Sequence, residues 1–166
     1  MENALPAMLI GGLLVLAAAL LSNATNSSVV TVGDSWRDME ALTEERLGTE
    51  VGIISTNLDG SGQVLQVVLR NQGRTTISAF ERMDLIANYD GASGRLNLWL
   101  PYTETAPQPG DTWTVSGIAN DNKNPGLLDT GEDASITVQL AVAVTGPTNR
   151  WLSFATESGV AYTVPF

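Results

Sequence analysis

A long segment without charge occupies the N-terminal part of this chain. No charged residue occurs between Glu2 and Asp34, and residues 4–21 form an apolar run interrupted only by one proline and two glycines. As an α-helix that rises 1.5 Å per residue, this run spans ~27 Å, about the hydrocarbon thickness of a bilayer. The rest of a 166-residue chain is too small to cover such a rod. We therefore expect lipid or other copies of the chain to cover it.

Three interpretations of the apolar run remain open. A cleaved secretory signal peptide usually begins with basic residues, whereas residues 1–3 read Met-Glu-Asn, although residues 22–24 resemble a small-residue cleavage site. A simple membrane anchor fits the length of the run. The third interpretation is a helix that lies first in a membrane and later in a protein bundle. Gly11, Gly12 and the alanines at 17–19 favour this interpretation, because small residues allow helices to approach closely.

The helical pattern continues beyond the apolar run. Apolar or small side chains recur at spacings of three and four, which places them on one helical face. A C-terminal stop is predicted at Gly48. The segment 27–33 is rich in β-branched residues and ends in Gly33, so a kink or break there is the alternative to a continuous helix. A helix that is continuous from the apolar run to Gly48 would be ~70 Å long. The face consists of Val29, Val32, Trp36, Met39, Thr43 and Leu47.

Residues 49–166 have the sequence pattern of a β-sandwich. Short runs in which apolar and other residues alternate are separated by clusters rich in Gly, Asn, Asp and Pro. The longest alternation covers residues 136–144, and the spacing of the runs predicts seven to nine strands. The predicted fold class is therefore α+β: a long N-terminal hydrophobic helix (residues 1–48) followed by an immunoglobulin-like all-β sandwich (residues 49–166). Trp99, Trp113 and Trp151 are candidates for its core.

The composition excludes the kinds of catalytic chemistry that depend on His or Cys. The chain contains no His and no Cys, so it has no Ser-His-Asp triad, no thiol nucleophile and no His- or Cys-ligated metal. A net charge of −10 argues against nucleic acid and against anionic membrane surfaces as partners. We expect a protein that is not an enzyme and that holds neither a metal nor a cofactor.

One loop partly matches a calcium-binding pattern. With Asp121 as position 1, Gly126 falls at position 6 and Glu132 at position 12, as in an EF-hand loop. Positions 3 and 5 are Lys123 and Pro125, whose side chains cannot bind calcium. A solvated turn between strands is the favoured interpretation, with calcium binding as the alternative.

Two sequons for N-glycosylation begin at Asn23 and Asn26, directly after the apolar run. A packed helix leaves little room for a glycan, so we interpret both as chance occurrences and leave glycosylation as the alternative.

Three short segments of the sandwich, in order, resemble the motifs of a known family. The run from Leu65 ends in Asn-Gln-Gly at 71–73, which resembles an Asn-x-Gly strand end. Residues 125–132 resemble a Pro-x-x-Leu-x-Pro-Gly-Glu turn, with Thr130 in place of the second Pro. Residues 154–160 resemble a Thr-Pro-x-Gly-Val hairpin. With the N-terminal helix, these segments make the chain similar to archaellins, the type IV pilin-like subunits of archaeal flagella, and to the stator proteins associated with them.

The resemblance implies a function in a filament. The resemblance also implies that a prepilin-type signal peptidase has removed a basic leader, so that Met1 would be the first mature residue, and that an ATP-driven membrane machine extracts the helix into a homopolymer. The expected product is an archaellum-like extracellular filament for swimming, with contact to the membrane only before assembly. We expect the helix to pack against neighbouring copies, with a transition to the sandwich at its last three packing residues. The packing residues are Leu5, Leu9, Leu13, Leu16, Leu20, Val29, Val32 and Trp36.

Other functions share parts of this pattern. An adhesive type IV-like pilin has the same helix and a β-rich outer domain. A membrane-anchored stator-type accessory protein has the same sandwich and turns but is present in few copies. A membrane-anchored enzyme or binding domain needs a cleft with functional groups, which the absence of His and Cys disfavours.

Overall fold

The computed structural model describes residues 4–105 and 110–166, which form one helix, α1, and eight strands. Side chains are described for these residues except 4–7, 26 and 27. The chain divides into two compact units, Met1–Thr43 and Glu44–Phe166. A short 3-10 helix, Phe80–Arg82, lies between the second and third strands. The elements are α1 (Ala4–Gly48), β1 (Val51–Leu58), β2 (Val64–Asn71), β3 (Asp84–Gly91), β4 (Gly94–Leu100), β5 (Thr112–Ala119), β6 (Asp133–Gln139), β7 (Trp151–Ala155) and β8 (Ala161–Pro165).

The helix α1 is continuous through Gly33, which decides between the two alternatives in favour of an unbroken helix. Its hydroxyl side chains bond to the backbone of the helix itself. The Thr25 hydroxyl donates to the Leu21 carbonyl, and the Ser28 and Ser35 hydroxyls donate over 2.9 Å to the carbonyls four residues before them. Such bonds satisfy a polar side chain without a partner from outside the helix.

The eight strands form two antiparallel four-stranded sheets, which confirms the predicted fold class and lies within the expected range of strand number. Sheet I has the order β1-β2-β6-β5, and sheet II has the order β4-β3-β7-β8. Buried and exposed residues alternate along most strands, as expected when one face of each sheet packs on a core and the other faces solvent.

The predicted strand over 136–144 is shorter in the structure, because β6 ends at Gln139. The next residues leave the ladder and pass from sheet I towards sheet II. The Leu140 amide donates to the carbonyl of Gln63, the residue directly before β2 of sheet I, whereas the Thr145 amide donates to the Asp90 carbonyl in sheet II. The alternation of apolar residues continues through this crossing, since Leu140 is buried in the core and Val144 packs against it.

Of the three tryptophans proposed for the core, only Trp113 lies there, with its side chain fully buried. Trp99 is wrong as a core residue, because 59% of it is exposed. On β4, Leu98 and Leu100 face the core, so the residue between them faces outward. Trp151 is also wrong as a core residue. It lies on the outer face and is half-buried, because its neighbour Leu152 faces the core.

The contrast between two tryptophans tests this arrangement of the sheets. We expect Trp113→Ala to lower the free energy of unfolding by ~3–5 kcal/mol, because it leaves a cavity in the core. It also removes the contact with Tyr102, whose ring centroid lies 4.9 Å from that of Trp113. Trp99→Ala removes an exposed side chain and is expected to cost about 1 kcal/mol or less. Urea unfolding of the full chain in detergent, followed by circular dichroism, measures both. Equal losses in the two variants would contradict the assignment of the faces.

Candidate functional site

The apolar surface of α1 is uncovered within the chain. An 18-residue window of this helix has a mean hydropathy of 1.9 and contains no buried residue. By length and composition, the helix can cross a membrane. The predicted packing residues whose side chains are described are 54–68% exposed, and Leu5 lies outside the residues with described side chains. The exposed residues are Leu9, Leu13, Leu16, Leu20, Val29, Val32 and Trp36.

The exposure is not limited to the predicted face. Residues on the other sides of the helix are uncovered as well, including Ile10, Leu14, Val15 and Val30. Exposed apolar patches of this extent mark surfaces that bind protein or membrane. The packing role of the leucines at 5, 9, 13, 16 and 20 stays a prediction, because no side of the helix is distinguished by burial.

The last turn of α1 belongs to the same compact unit as the sandwich and is bound there by backbone hydrogen bonds. The Gly48 carbonyl accepts from the amides of Arg74 (2.8 Å) and Thr75 (3.1 Å), so the loop after β2 supplies partners for the helix end. The Glu50 carbonyl accepts from the amides of residues 72 and 73, at 2.8 and 2.9 Å. We call the helix end (residues 44–49) together with the loops at 71–75, 128–132 and 156–160 the junction.

Gly73 explains the glycine of the Asn-x-Gly motif. A Cβ atom on Gly73 would lie closer to the Gly48 carbonyl oxygen than real contacts allow, and 2.5 Å from the Glu50 nitrogen. Only a residue without a side chain permits the two backbones to approach this closely. The motif glycine therefore serves packing against the helix end.

Asn71 explains the asparagine of the same motif. Its side chain is fully buried, and its amide nitrogen donates to the carbonyls of Thr75 (2.8 Å) and Leu128 (2.9 Å). Its side-chain oxygen accepts from the Gly73 amide at 3.0 Å. A buried amide with every group bonded holds two loops in one arrangement. The first motif is thereby joined to the second.

The second motif wraps around the first. The Gly131 amide donates to the Asn71 carbonyl at 2.7 Å, and the Thr130 hydroxyl donates to the Gly73 carbonyl at 2.7 Å. Thr130, which stands where the family pattern has proline, thus supplies a bond that proline cannot make.

Two carboxylates stabilise the turn of the second motif. The Glu132 carboxylate accepts from the Asp129 amide at 3.0 Å. The Asp129 carboxylate accepts from the Thr76 hydroxyl at 2.7 Å and from the Asn124 amide at 2.8 Å. The hydrogen bond from Thr76 lowers the pKa of the Asp129 carboxyl below its usual value, and the bond from Asn124 and the charge of Lys123 act in the same direction.

The geometry of the loop at 121–132 supports a turn held by internal hydrogen bonds. The Asp121 carboxylate accepts from the Gly126 amide at 2.8 Å. The Asp129 carboxylate accepts from the Asn124 side chain, and the Glu132 carboxylate accepts from the Asp129 amide. Among the residues that the structure describes, no three acidic, His or Cys side chains are grouped so that they could hold a metal ion.

The third motif contacts the helix end directly. The Arg46 guanidinium donates to the Ser158 carbonyl at 2.7 Å, and the Ser158 hydroxyl donates to the Thr49 hydroxyl at 3.1 Å. Gly159 has a φ of +77°, which allows the tight hairpin that presents this carbonyl. All three motifs thus meet at the end of α1. The three motifs can be recognised in the sequence, but their convergence cannot, because the one feature that they share there is that each includes a turn.

A glycine pair tests the close approach at the junction. We expect Gly73→Ala to lower the free energy of unfolding by about 1–3 kcal/mol, because the added methyl group displaces the helix end. Gly60→Ala is the matched control, since no heavy atom lies within 4 Å of the position of its Cβ. Thermal unfolding of both full-length variants in detergent measures the difference. A Gly73→Ala variant as stable as the control would refute the packing role.

The acid dependence of stability tests the Asp129 contacts. A lowered pKa in the folded state contributes stability above the unfolded value of about 3.9, and this stability is lost as the pH falls through the lower folded value. We expect Asp129→Asn to be less stable than the original chain at pH 7 and to lose less further stability between pH 7 and pH 3. Thr76→Val removes the main donor and should show a weaker form of the same change. Thermal unfolding at both pH values measures this, and an unchanged acid dependence in Asp129→Asn would disprove it.

Comparisons with known proteins give likeness in structure only. No family model and no curated protein matches the sequence. The archaeal flagellum of Methanospirillum hungatei strain JF1 matches with a TM-score of 0.62 at 11% identity, over 96% of this chain and 90% of that chain. The archaellum periplasmic stator protein FlaG from Sulfolobus acidocaldarius matches with a TM-score of 0.51 at 19% identity, over 70% and 99%. The FlaF and FlaG stator complex from the same organism matches with a TM-score of 0.50 at 19% identity, over 70% and 89%.

These likenesses confirm, at the level of the fold, the resemblance that the motifs indicated. The flagellum structure matches nearly the whole chain and therefore includes most of α1 as well as the sandwich. The chain has the fold of archaellum proteins: a long N-terminal helix followed by a two-sheet sandwich.

Proposed function

We propose that this chain is a structural subunit that polymerises through its N-terminal helix into an archaellum-like extracellular filament for swimming. The observation that carries the proposal is the uncovered apolar helix, in a fold whose likeness to an archaeal flagellum spans 96% of the chain. An apolar surface of this size is unfavourable in water. Packing against the same helix of neighbouring copies buries it, and this packing repeats along a polymer.

Burial of the helix supplies the free energy of assembly. Each Å² of apolar surface removed from water contributes roughly 25 cal/mol, so a helix covered on several sides by neighbours is held strongly. The apolar run contains Gly11 and Gly12. Apart from the adjacent residues and the backbone of the helix itself, no described atom lies within 4 Å of where a Cβ would stand at either glycine, which leaves room for a neighbouring helix. A filament built in this way does not dissociate easily.

The hydroxyl bonds within α1 support entry of the middle of the helix into an apolar environment. Thr25, Ser28 and Ser35 donate to carbonyls of their own helix, so these side chains carry no unmet donor into a bundle or a bilayer. The charged part of the helix begins only at Asp34. Residues 4–21 can therefore lie in the hydrocarbon of the membrane before assembly, and the hydroxyl-bearing residues that follow can enter the filament afterwards.

The remaining parts of the proposal concern partners and location. The chain acts without catalysis and without a cofactor, and its main partner is a second copy of itself. A prepilin-type signal peptidase and an ATP-driven membrane machine prepare and assemble it, and the finished filament is outside the cell. The net charge of −10 keeps neighbouring filaments apart and disfavours nucleic acid as a partner.

A stator-type accessory protein is the second candidate, because the FlaG structures share the fold of the sandwich. The two functions differ in copy number, which is high for a filament subunit and low for an accessory protein. Quantification of the chain in sheared, purified filaments separates them. Loss of swimming with retained attachment after gene deletion separates the proposed function from an adhesive pilin.

A charge in the apolar run tests the assembly role of the helix. We expect Leu13→Asp to abolish filaments. The free energy needed to bury an unpaired carboxylate in a helix bundle without water exceeds what the surrounding packing contacts contribute. Leu13→Met keeps the volume and polarity of the side chain and should assemble normally. Electron microscopy of the two variants measures assembly, and circular dichroism shows whether the sandwich stays folded. Normal filaments from Leu13→Asp would overturn the proposed role of the helix.

A further inference from the structure

The two outer faces of the sandwich are poor in unpaired charge, although the whole chain is acidic. On sheet I, Arg70 and Asp133 pair across neighbouring strands at 2.6 Å. On sheet II, Arg95 and Asp90 pair at 3.3 Å. Two copies of a chain with a net charge of −10 repel each other, so contact between them is favoured where the charges are compensated.

Trp99 is a projecting aromatic side chain on the outer face of sheet II. It is 59% exposed, and its indole nitrogen donates to the Asp84 carboxylate at 3.0 Å. That bond holds the ring in one orientation without covering it, and it engages the only other acidic side chain described on this face. Tryptophan is enriched among the residues that dominate the binding free energy of protein interfaces.

A recess lies on the outer face of sheet I, on the opposite side of the sandwich. It forms where a bulge in β5 shifts the register between Val115 and Gly117 and leaves Ser116 between them. Its volume is about 220 Å³, which is large enough for an indole ring. The lining carries no charge. Its outward-facing residues are Gln66, Val68, Ser116, Ser135 and Thr137, and the strands contribute only backbone at Val67 and Ile136, whose side chains are buried in the core.

We infer that Trp99 of one copy inserts into the sheet I recess of the next copy. This inference rests on the proposed function, because it describes a contact between neighbouring subunits of a filament. The recess has room for the indole ring and has no charged residue in its lining, and the carboxylate beside Trp99 already accepts from the indole nitrogen. The two features lie on opposite faces of one sandwich. Such a contact is head-to-tail: it leaves a free projection at one end and a free recess at the other. It therefore repeats along an open polymer instead of closing a dimer.

The contact depends on assembly through the helix. A single side chain in a recess is a small interface, well below the area that a stable pair of free proteins buries. Once the helices hold neighbouring copies together, the second contact forms at a high effective concentration.

The absence of cysteine in the chain permits a direct test. A full-length variant with Asn97→Cys and Gln66→Cys keeps Trp99 and places one thiol on each outer face, both at exposed positions. Filaments of this variant, identified by electron microscopy, are treated with a short bifunctional maleimide and separated on a denaturing gel. We expect a ladder of dimers, trimers and higher species. The two thiols of one copy lie on opposite sides of a sandwich whose sheets alone are ~10 Å apart, so a short linker does not join them within a chain.

Control variants separate the contact from other arrangements. Asn97→Cys with Thr163→Cys places both thiols on the outer face of sheet II and should give no ladder. A strong dimer from Asn97→Cys alone would indicate a symmetric contact between two sheet II faces and would overturn the inference. Filaments of the Asn97→Cys and Gln66→Cys variant without a ladder would also overturn it while leaving the proposed function intact. Failure of the unmodified chain to form filaments would instead count against the proposed function.

A second measurement does not need cysteine. We expect Trp99→Ala, which empties the contact, and Ser135→Phe, which fills the recess, each to speed filament dissociation roughly tenfold. The double variant should dissociate no faster than the worse single variant, because both changes remove the same contact. Ile54→Ala removes another exposed apolar side chain, on β1, and serves as the control with unchanged dissociation. Additive effects of Trp99→Ala and Ser135→Phe would refute the pairing.

Discussion

The need to cover the apolar surface of α1 is the constraint on which the rest of this protein depends. The helix has an 18-residue window of mean hydropathy 1.9 with no buried residue, so the chain is incomplete as an isolated molecule in water. Ser28 and Ser35 in the middle of the helix agree with this constraint, because their hydroxyls donate to carbonyls of the helix itself. The sandwich meets its own requirements separately, through a core of two sheets that packs without α1 up to Thr43.

The junction gives the three short motifs a common physical purpose. Gly73 lacks a side chain because the backbone at Gly48 and Glu50 approaches it closely. Asn71 binds its own loop and the loop at Leu128, and the hairpin at Ser158 accepts from Arg46. Motifs that are weak as isolated patterns therefore describe one packed arrangement at the end of the helix.

Most of the fold could be predicted because its signals are local. Alternation with a period of two defined the strands and their inward faces, and the same rule, applied to Leu98 and Leu100, already excludes Trp99 from the core. The extent of β6 could not be predicted in this way. Apolar side chains continue to alternate through Leu140 and Val144 while the backbone changes sheets, and hydrophobic pattern reports burial but not hydrogen-bond partners. Continuity through Gly33 was likewise decided by the helix as a whole against a weak local propensity.

The sequence by itself determined the uncovered helix, the class of the sandwich and the absence of His and Cys chemistry, since these follow from composition and from the periodicity of the backbone. The tertiary structure alone decided which residues distant in sequence meet. The bonds that link Arg46 to Ser158 and Thr130 to Gly73, and the placement of Trp99 and the recess on opposite faces, depend on the order of strands in two sheets. Strand order arises from long-range pairing, and long-range pairing leaves no periodic trace in the residues that it brings together.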